Sequence, residues 1–308
     1  MRIRHLSVIL TAVLGLSLAA CGGDDGGGGS AGEASSSAAA GDGVCATTDA
    51  SGDLLAEICD RGKIVVSTDP KYAPQSSLNV ETGEYEGFDI DVATEIANRL
   101  GVGIGWEAPK WEVLTAGSWS GRWDMSVGSM TPTNDRQQVL DFTQPYYFTP
   151  AVVVVNSANT TINDLTTDLD GKTIGVCSGC SYEQYLDKTL AIDGFTFDFV
   201  VDDAVIKGYD TDTTALEDLA LGDGTRLDAA MTSVTTAQGF IDTGKPEKIV
   251  GDPLFYEPLA VAFDKSSSLD DASLLAAVDQ IVADMHTDGT LTKLSEKWYD
   301  GIDLTVQQ

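Results

Sequence analysis

Residues 124–150, DMSVGSMTPTNDRQQVLDFTQPYYFTP, hold a strand, a polar loop with one arginine, and the start of a second strand. Met125 and Val127 alternate with small residues until Gly128-Ser129 breaks the run. The loop Thr131-Pro132-Thr133-Asn134-Asp135 reaches Arg136, and after a helical turn come Phe142, Tyr146, Tyr147 and Phe148. A β-branched run over 151–155 follows. A strand that ends in small hydroxylic residues and meets an arginine is suited to gripping a carboxylate. Amides and hydroxyls offer hydrogen bonds there, and the guanidinium offers a bidentate fork. For an isolated arginine, a surface ion pair is the plainer reading.

Outward from this stretch, strand and helix alternate. Upstream, 63–68 reads as a strand ending at Asp69-Pro70-Lys71-Tyr72-Ala73-Pro74. A polar loop leads to Gly87-Phe88-Asp89-Ile90-Asp91 and a helix over 92–100, with Val92, Ile96 and Leu100 at helical spacing and Gly101 as its stop. A strand over 103–106 and a helix around 111–119 complete that side. Downstream, 169–176 is a turn and a strand, and Cys177-Ser178-Gly179-Cys180-Ser181 opens a helix over 182–190. A helix over 215–221, a strand through Ala229-Ala230-Met231, a helix over 274–285 and a last helix to Trp298-Tyr299 follow. This alternation marks an α/β sheet covered on both faces.

The chain has 308 residues, 43% of them hydrophobic, enough for one or two domains with real cores. Arg2 and Arg4, the apolar run 6–18 and Leu18-Ala19-Ala20-Cys21 read as a secretion signal over 1–20 that ends like a lipobox, with Cys21 the lipid-bearing residue. The apolar run is too short for a membrane span. Gly, Ser, Ala and Asp dominate the segment up to 44, a flexible tether. Apart from Cys21, four cysteines remain, and in an oxidising compartment the economical pairing is Cys45–Cys59 and Cys177–Cys180. One C-x-x-C and a single histidine beyond the signal, His286, argue against a zinc site. A net charge of −30 argues against nucleic acid and against docking on anionic lipid.

The order Gly128-Ser129-Met130-Thr131, Thr133, Arg136, Asp141-Phe142, Pro145-Tyr146 resembles the signature of the family 3 solute-binding proteins, the extracytoplasmic receptors of polar amino acid ABC importers. Other blocks extend the resemblance from about Gly62 to Trp298. They are Tyr72-x-Pro74, Gly87-Phe88-Asp89-x-Asp91, Leu169-x-Gly171-Lys172-x-Ile174-Gly175-Val176 and the ending Asp288-Gly289-Thr290 to Lys297-Trp298. The resemblance implies a two-lobed periplasmic-binding-protein fold of α/β class (type II-like). Its lobes are expected at 45–149 with 257–308, and at 150–256, joined by crossing strands near 149–155 and 256–263. Arg136 then binds the ligand carboxylate with Ser129 and Thr131, while Cys180 and Ser181 seat it from the other lobe, where the family has paired threonines. Tyr72 and Trp111 wall the pocket, and Asp69 touches the ligand side chain.

Two departures bear on the ligand. Gln75-Ser76 replaces the usual Phe-Glu, which makes the pocket floor more polar. Many members carry an aspartate shortly after the Asp228-Ala229 strand that pairs with the α-ammonium; here stand Thr232-Ser233. A buried ammonium without an anion is costly. Either Asp210, Asp212, Glu183 or Glu257 takes it, or the ligand is not a standard α-amino acid; Asp210 and Ser233 join the expected ligand-binding set. The expected activity is binding without catalysis, with no cofactor or metal, as a monomer, with an ABC permease and its ATPase as partner and the membrane reached only through the lipid. The alternative is an exported enzyme on the same scaffold, like the cyclohexadienyl or arogenate dehydratases, which needs an acid–base pair in the cleft.

Overall fold

In the computed structural model, which describes residues 43–307, apolar runs and polar turns resolve into eleven strands and eight α-helices. The strands are β1 (Lys63–Ser67), β2 (Lys71–Tyr72), β3 (Ser76–Leu78), β4 (Tyr85–Glu86), β5 (Gly103–Glu107), β6 (Met125–Met130), β7 (Leu140–Asn156), β8 (Thr173–Cys177), β9 (Val205–Tyr209), β10 (Ala229–Ser233) and β11 (Glu247–Asp264). The helices are α1 (Leu54–Arg61), α2 (Phe88–Leu100), α3 (Trp111–Thr115), α4 (Ser181–Leu186), α5 (Asp212–Leu219), α6 (Val234–Asp242), α7 (Ala272–Thr287) and α8 (Thr290–Trp298).

Eight strands share one sheet in the order β5-β1-β6-β11-β7-β10-β8-β9, and β2, β3 and β4 form a small second sheet. The long strands β7 and β11, 17 and 18 residues, lie in the middle and pair antiparallel. On one side β1 pairs in parallel with β5 and β6; on the other β8 pairs in parallel with β9 and β10. Each side buries its own core. Ile64, Val66, Phe88, Ile96, Tyr147 and Val278 pack in the first, and Val153, Ile174, Val176, Tyr185 and Met231 in the second. Apolar area removed from water on each side stabilises two lobes, with β7 and β11 carrying the chain between them. The pairing of β7 with β11 slips between Val250 and Phe255, where Gly251 takes a φ of +67°.

The crossing strands are longer than the expected 149–155 and 256–263. The aromatic run before Pro150 is already extended, with Phe142 and Pro145 paired to β11. Gly101 stops α2 in a left-handed conformation, its amide donating to Ala97 and Asn98 carbonyls. The helix expected around 111–119 ends at Thr115, and Trp119 turns back so that its Nε1 donates to the Leu114 carbonyl. Trp119 and Trp123 pack in the core with their ring centres 5.4 Å apart and their planes tilted. Helix α5 begins at Asp212, ahead of the expected 215, because the Thr211 hydroxyl caps it through the Thr214 amide. Disulfides join Cys45 to Cys59 and Cys177 to Cys180. The signal, Cys21 and the tether up to residue 42 lie outside the described residues. Among the described residues no helix is long and apolar enough to cross a membrane.

Candidate functional site

A cleft lies between the lobes, part of it open to solvent. The first lobe brings Asp69, Tyr72, Trp111, Ser129, Thr131 and Arg136 to it, and the second brings Cys180, Ser181, Asp210 and Asp212. Glu257 faces it from β11. Of the ligand-binding residues expected from sequence, Ser233 is absent from the cleft lining, as is Glu183 among the alternative acids.

Arg136 sits in a single 3-10 turn, Arg136–Gln138, and is 5% exposed. Its Nη1 donates to the Thr131 carbonyl at 2.8 Å and its Nη2 to the Gly179 carbonyl of the other lobe at 3.0 Å. The guanidinium lies 4.9 Å from the centre of the Trp111 ring, a cation–π arrangement. Burial lowers its pKa to about 10, with Glu257 acting in the opposite direction, so it stays charged at neutral pH. Among the described residues it forms no ion pair within 4.0 Å. A buried guanidinium bonded only to carbonyls keeps donors for an incoming anion.

The two hydroxyls expected beside it are already engaged. Ser129, at a left-handed φ of 51°, donates from Oγ to Asp89 Oδ2 at 2.7 Å and lies 2.6 Å from the Tyr147 hydroxyl. Asp89 also accepts from the Tyr146 hydroxyl at 2.8 Å. Burial raises the Asp89 carboxyl to about 7 against the pull of these hydrogen bonds. Thr131 Oγ1 donates to Glu257 Oε2 at 2.6 Å. Both hydroxyl protons therefore point at protein carboxylates that lie far off in sequence.

On the second lobe, Glu183 Oε2 accepts the Gly179 amide at 2.6 Å. The amides of Cys180 and Ser181 and the Ser181 hydroxyl make no hydrogen bond among the described residues, so this turn still offers donors toward the cleft. Asp69 accepts from the Lys71 amide at 2.8 Å, and burial raises its pKa. Asp210 lies exposed at the rim, whereas Asp212 and Glu257, weighed from sequence only as alternatives, are buried in the cleft wall. The sulfurs of Cys177 and Cys180 lie within 4.8 Å of an Asp212 oxygen, but they are bonded to each other and offer no thiolate to a metal.

Ser233 caps α6 and meets the first lobe instead of lining the cleft. The Tyr72 hydroxyl donates to it at 3.4 Å, and Gln75 Nε2 donates among Thr235 Oγ1 at 2.8 Å, Ser233 Oγ at 3.3 Å and Thr236 Oγ1 at 3.3 Å. Gln75 is fully buried, and its backbone is held against Gly87, where a Cβ would come within 2.2 Å of the Gln75 carbonyl oxygen. Further bonds cross from Asn134 to Ala191 and from Thr213 to Lys71. The lobes are thus closed upon each other. Gln75→Ala removes the most buried of these links, a loss of about 1–3 kcal/mol from the closed form. Small-angle scattering of the unliganded variant is expected to give a larger radius of gyration than wild type. Superimposable curves would show that Gln75 does not hold the lobes together.

The family model of the bacterial extracellular solute-binding proteins, family 3, matches residues 64–301. This chain belongs to that family. The motif blocks from Gly62 to Trp298 span almost the same residues, and the structure explains two of them: Asp91 of the Gly-Phe-Asp-x-Asp block accepts from both Lys297 and Trp298 of the closing Lys-Trp. Among family members, the chain is similar to the L-cystine-binding protein TcyJ of Escherichia coli strain K12, with 29% identity over 264 residues, 85% of this chain and 92% of that protein. It is 31% identical over 242 residues to the histidine-binding periplasmic protein of Salmonella typhimurium strain LT2, 77% of this chain and 88% of that one. Among solved structures it resembles the ancestral amino acid-binding protein AncCDT-1, a precursor of cyclohexadienyl dehydratase, at a TM-score of 0.68 and 29% identity over 80% of this chain and 99% of that one. The two-lobed solute-binding fold expected from sequence is the fold observed.

Proposed function

We propose that this protein is an extracytoplasmic receptor that binds a small amino-acid-like carboxylate between its lobes and delivers it, without turnover, to an ABC importer. One observation carries the reading. Arg136 is a buried, charged guanidinium with no carboxylate paired to it, placed where both lobes meet. In this proposal the ligand carboxylate takes the remaining Arg136 donors with the amides of Cys180 and Ser181, Tyr72 and Trp111 pack on the ligand, and Asp69 faces its side chain. Ser129 and Thr131 shape the seat through Asp89 and Glu257. Lobe closure on ligand is the hinge movement that a permease senses. The lobes run over 45–149 with 257–308 and over 150–256, and the protein acts as a monomer held to the membrane by a lipid on Cys21.

The names of the relatives agree with an amino acid ligand for those proteins, and the cleft here has the donors for one. Titration calorimetry of the purified domain against the common L-amino acids, L-cystine and their deaminated analogues tests the proposal. Saturable binding of an amino acid supports it. The absence of any binding, or release of a dehydrated product from a cyclohexadienyl acid, would overturn it.

A further inference from the structure

We infer that Asp212, steadied by Thr232, is the seat for a cationic group of the ligand, the ammonium when the ligand is an amino acid. This rests on the receptor reading and adds the charge partner that Ser233 does not supply. Asp212 stands in the first turn of α5, 4% exposed, and lines the cleft. Thr232 Oγ1 donates to its Oδ2 at 2.9 Å, which fixes the carboxylate. Its Oδ1 is buried with no hydrogen-bond partner. Among the described residues, no lysine or arginine pairs with it. A buried carboxylate oxygen with neither donor nor cation is strongly unfavourable, so such a group points to something else that meets it.

The other acids are engaged or displaced. Glu257 accepts from Thr131, Glu183 from the Gly179 amide and Asp69 from the Lys71 amide, while Asp210 is exposed. Ser233 is taken up by Tyr72, Gln75 and the Thr236 amide. The Cys177–Cys180 disulfide beside Asp212 is neutral, so nothing there competes for the cation. Burial lifts the Asp212 carboxyl to about 7 against the pull of the Thr232 hydroxyl and the Cys177 backbone, with Glu257 and Asp69 adding to the rise, and a bound cation would draw it back down. Arg136 on the first lobe and Asp212 on the second thus face one cleft with no counter-ion from the protein, a template for a zwitterion whose ammonium would draw the Asp212 proton off as both lobes close on it.

The test is calorimetry of wild type and Asp212→Asn against the common L-amino acids, L-cystine and two carboxylate-free amines, histamine and putrescine. Asp212→Asn is expected to weaken any amino acid bound by wild type at least about 30-fold, the effect of removing one partner of a buried charge pair. The unliganded variant is expected to melt at the wild-type temperature or above it, which a carboxylate with a structural task would not allow. Affinity within twofold of wild type overturns the seat and leaves the receptor reading standing. Binding of an amine but of no amino acid, lost in Asp212→Asn, supports the seat and overturns the amino acid reading. If wild type binds neither class, the seat is overturned.

Discussion

Arg136→Ala is expected to weaken ligand binding by at least a hundredfold, the largest effect of any single substitution in the cleft. The guanidinium is nine-tenths or more buried, stays charged at neutral pH, and meets only carbonyl oxygens and the Trp111 ring. A ligand carboxylate placed there forms a desolvated, charge-assisted pair, and truncating one member of such a pair costs about 2–5 kcal/mol. The variant also loses the bond to the Gly179 carbonyl that links the lobes, so closure weakens as well. Arg136→Lys keeps the charge but lacks the planar fork, and cannot reach both carbonyls and a carboxylate together; about a tenfold loss or more is expected. Calorimetry with the tightest-binding L-amino acid reads both numbers. The unliganded Arg136→Ala protein is expected to melt no lower than wild type, because it gives up a buried charge without a counter-ion. Unchanged affinity in Arg136→Ala would remove the carboxylate seat from this cleft.

Much of the fold was legible because its signals are local. Val92, Ile96 and Leu100 at helical spacing with Gly101 after them place α2 and its end, and both disulfides follow from cysteine spacing. The small sheet β2-β3-β4 was not legible, since strands of two or three residues are too short to display alternation. The early start of β7 was not legible, because Pro145 and Pro150 interrupt the run that a strand pattern would show. Within a long pair that slips register, both prolines are tolerated opposite β11.

At the site, Arg136 was legible from its neighbours in sequence, but the company of Ser129 and Thr131 was not. Ser129 meets Asp89, 40 residues away, and Thr131 meets Glu257, 126 residues away, contacts that only the packed sheet creates. Asp212 lay ahead of the expected helix, in the first turn that the Thr211 cap opens at the cleft wall. The change from an acid to Ser233 and the change to Gln75 looked independent in sequence. In the structure they touch, so one departure supports the other across the lobes.

Unliganded wild-type protein is expected to be more stable at pH 5 than at pH 8. Burial raises the carboxyls of Asp89, Asp212 and Glu247 to about 7, from ordinary values near 4. A carboxyl whose folded pKa is raised binds its proton more tightly in the folded state than in the unfolded one. Its contribution is therefore fully present below pH ~4 and is lost as pH rises through about 7. For each of the two most buried groups, Asp89 and Asp212, the change is on the order of 4 kcal/mol as an upper bound. The carboxyls held low, such as Asp288, which hydrogen bonds from Thr290 and then Arg99 hold at about 2, act in the opposite sense, but only below pH ~4 and on an open, solvent-screened surface. Between pH 5 and 8 the raised group wins. Relief of self-repulsion in a chain of net charge −30 has the same sign, so the profile of wild type alone does not separate the causes. Glu247→Gln does, because neither Glu247 oxygen has a hydrogen-bond partner and the residue stands apart from the cleft lining. Calorimetric melting at constant ionic strength is expected to show the variant more stable than wild type at pH 8 and nearly equal at pH 5, with about 2–4 °C for each kcal/mol gained. Equal melting temperatures at pH 8, or a gain confined to pH 5, would show that the buried carboxyls do not set the slope.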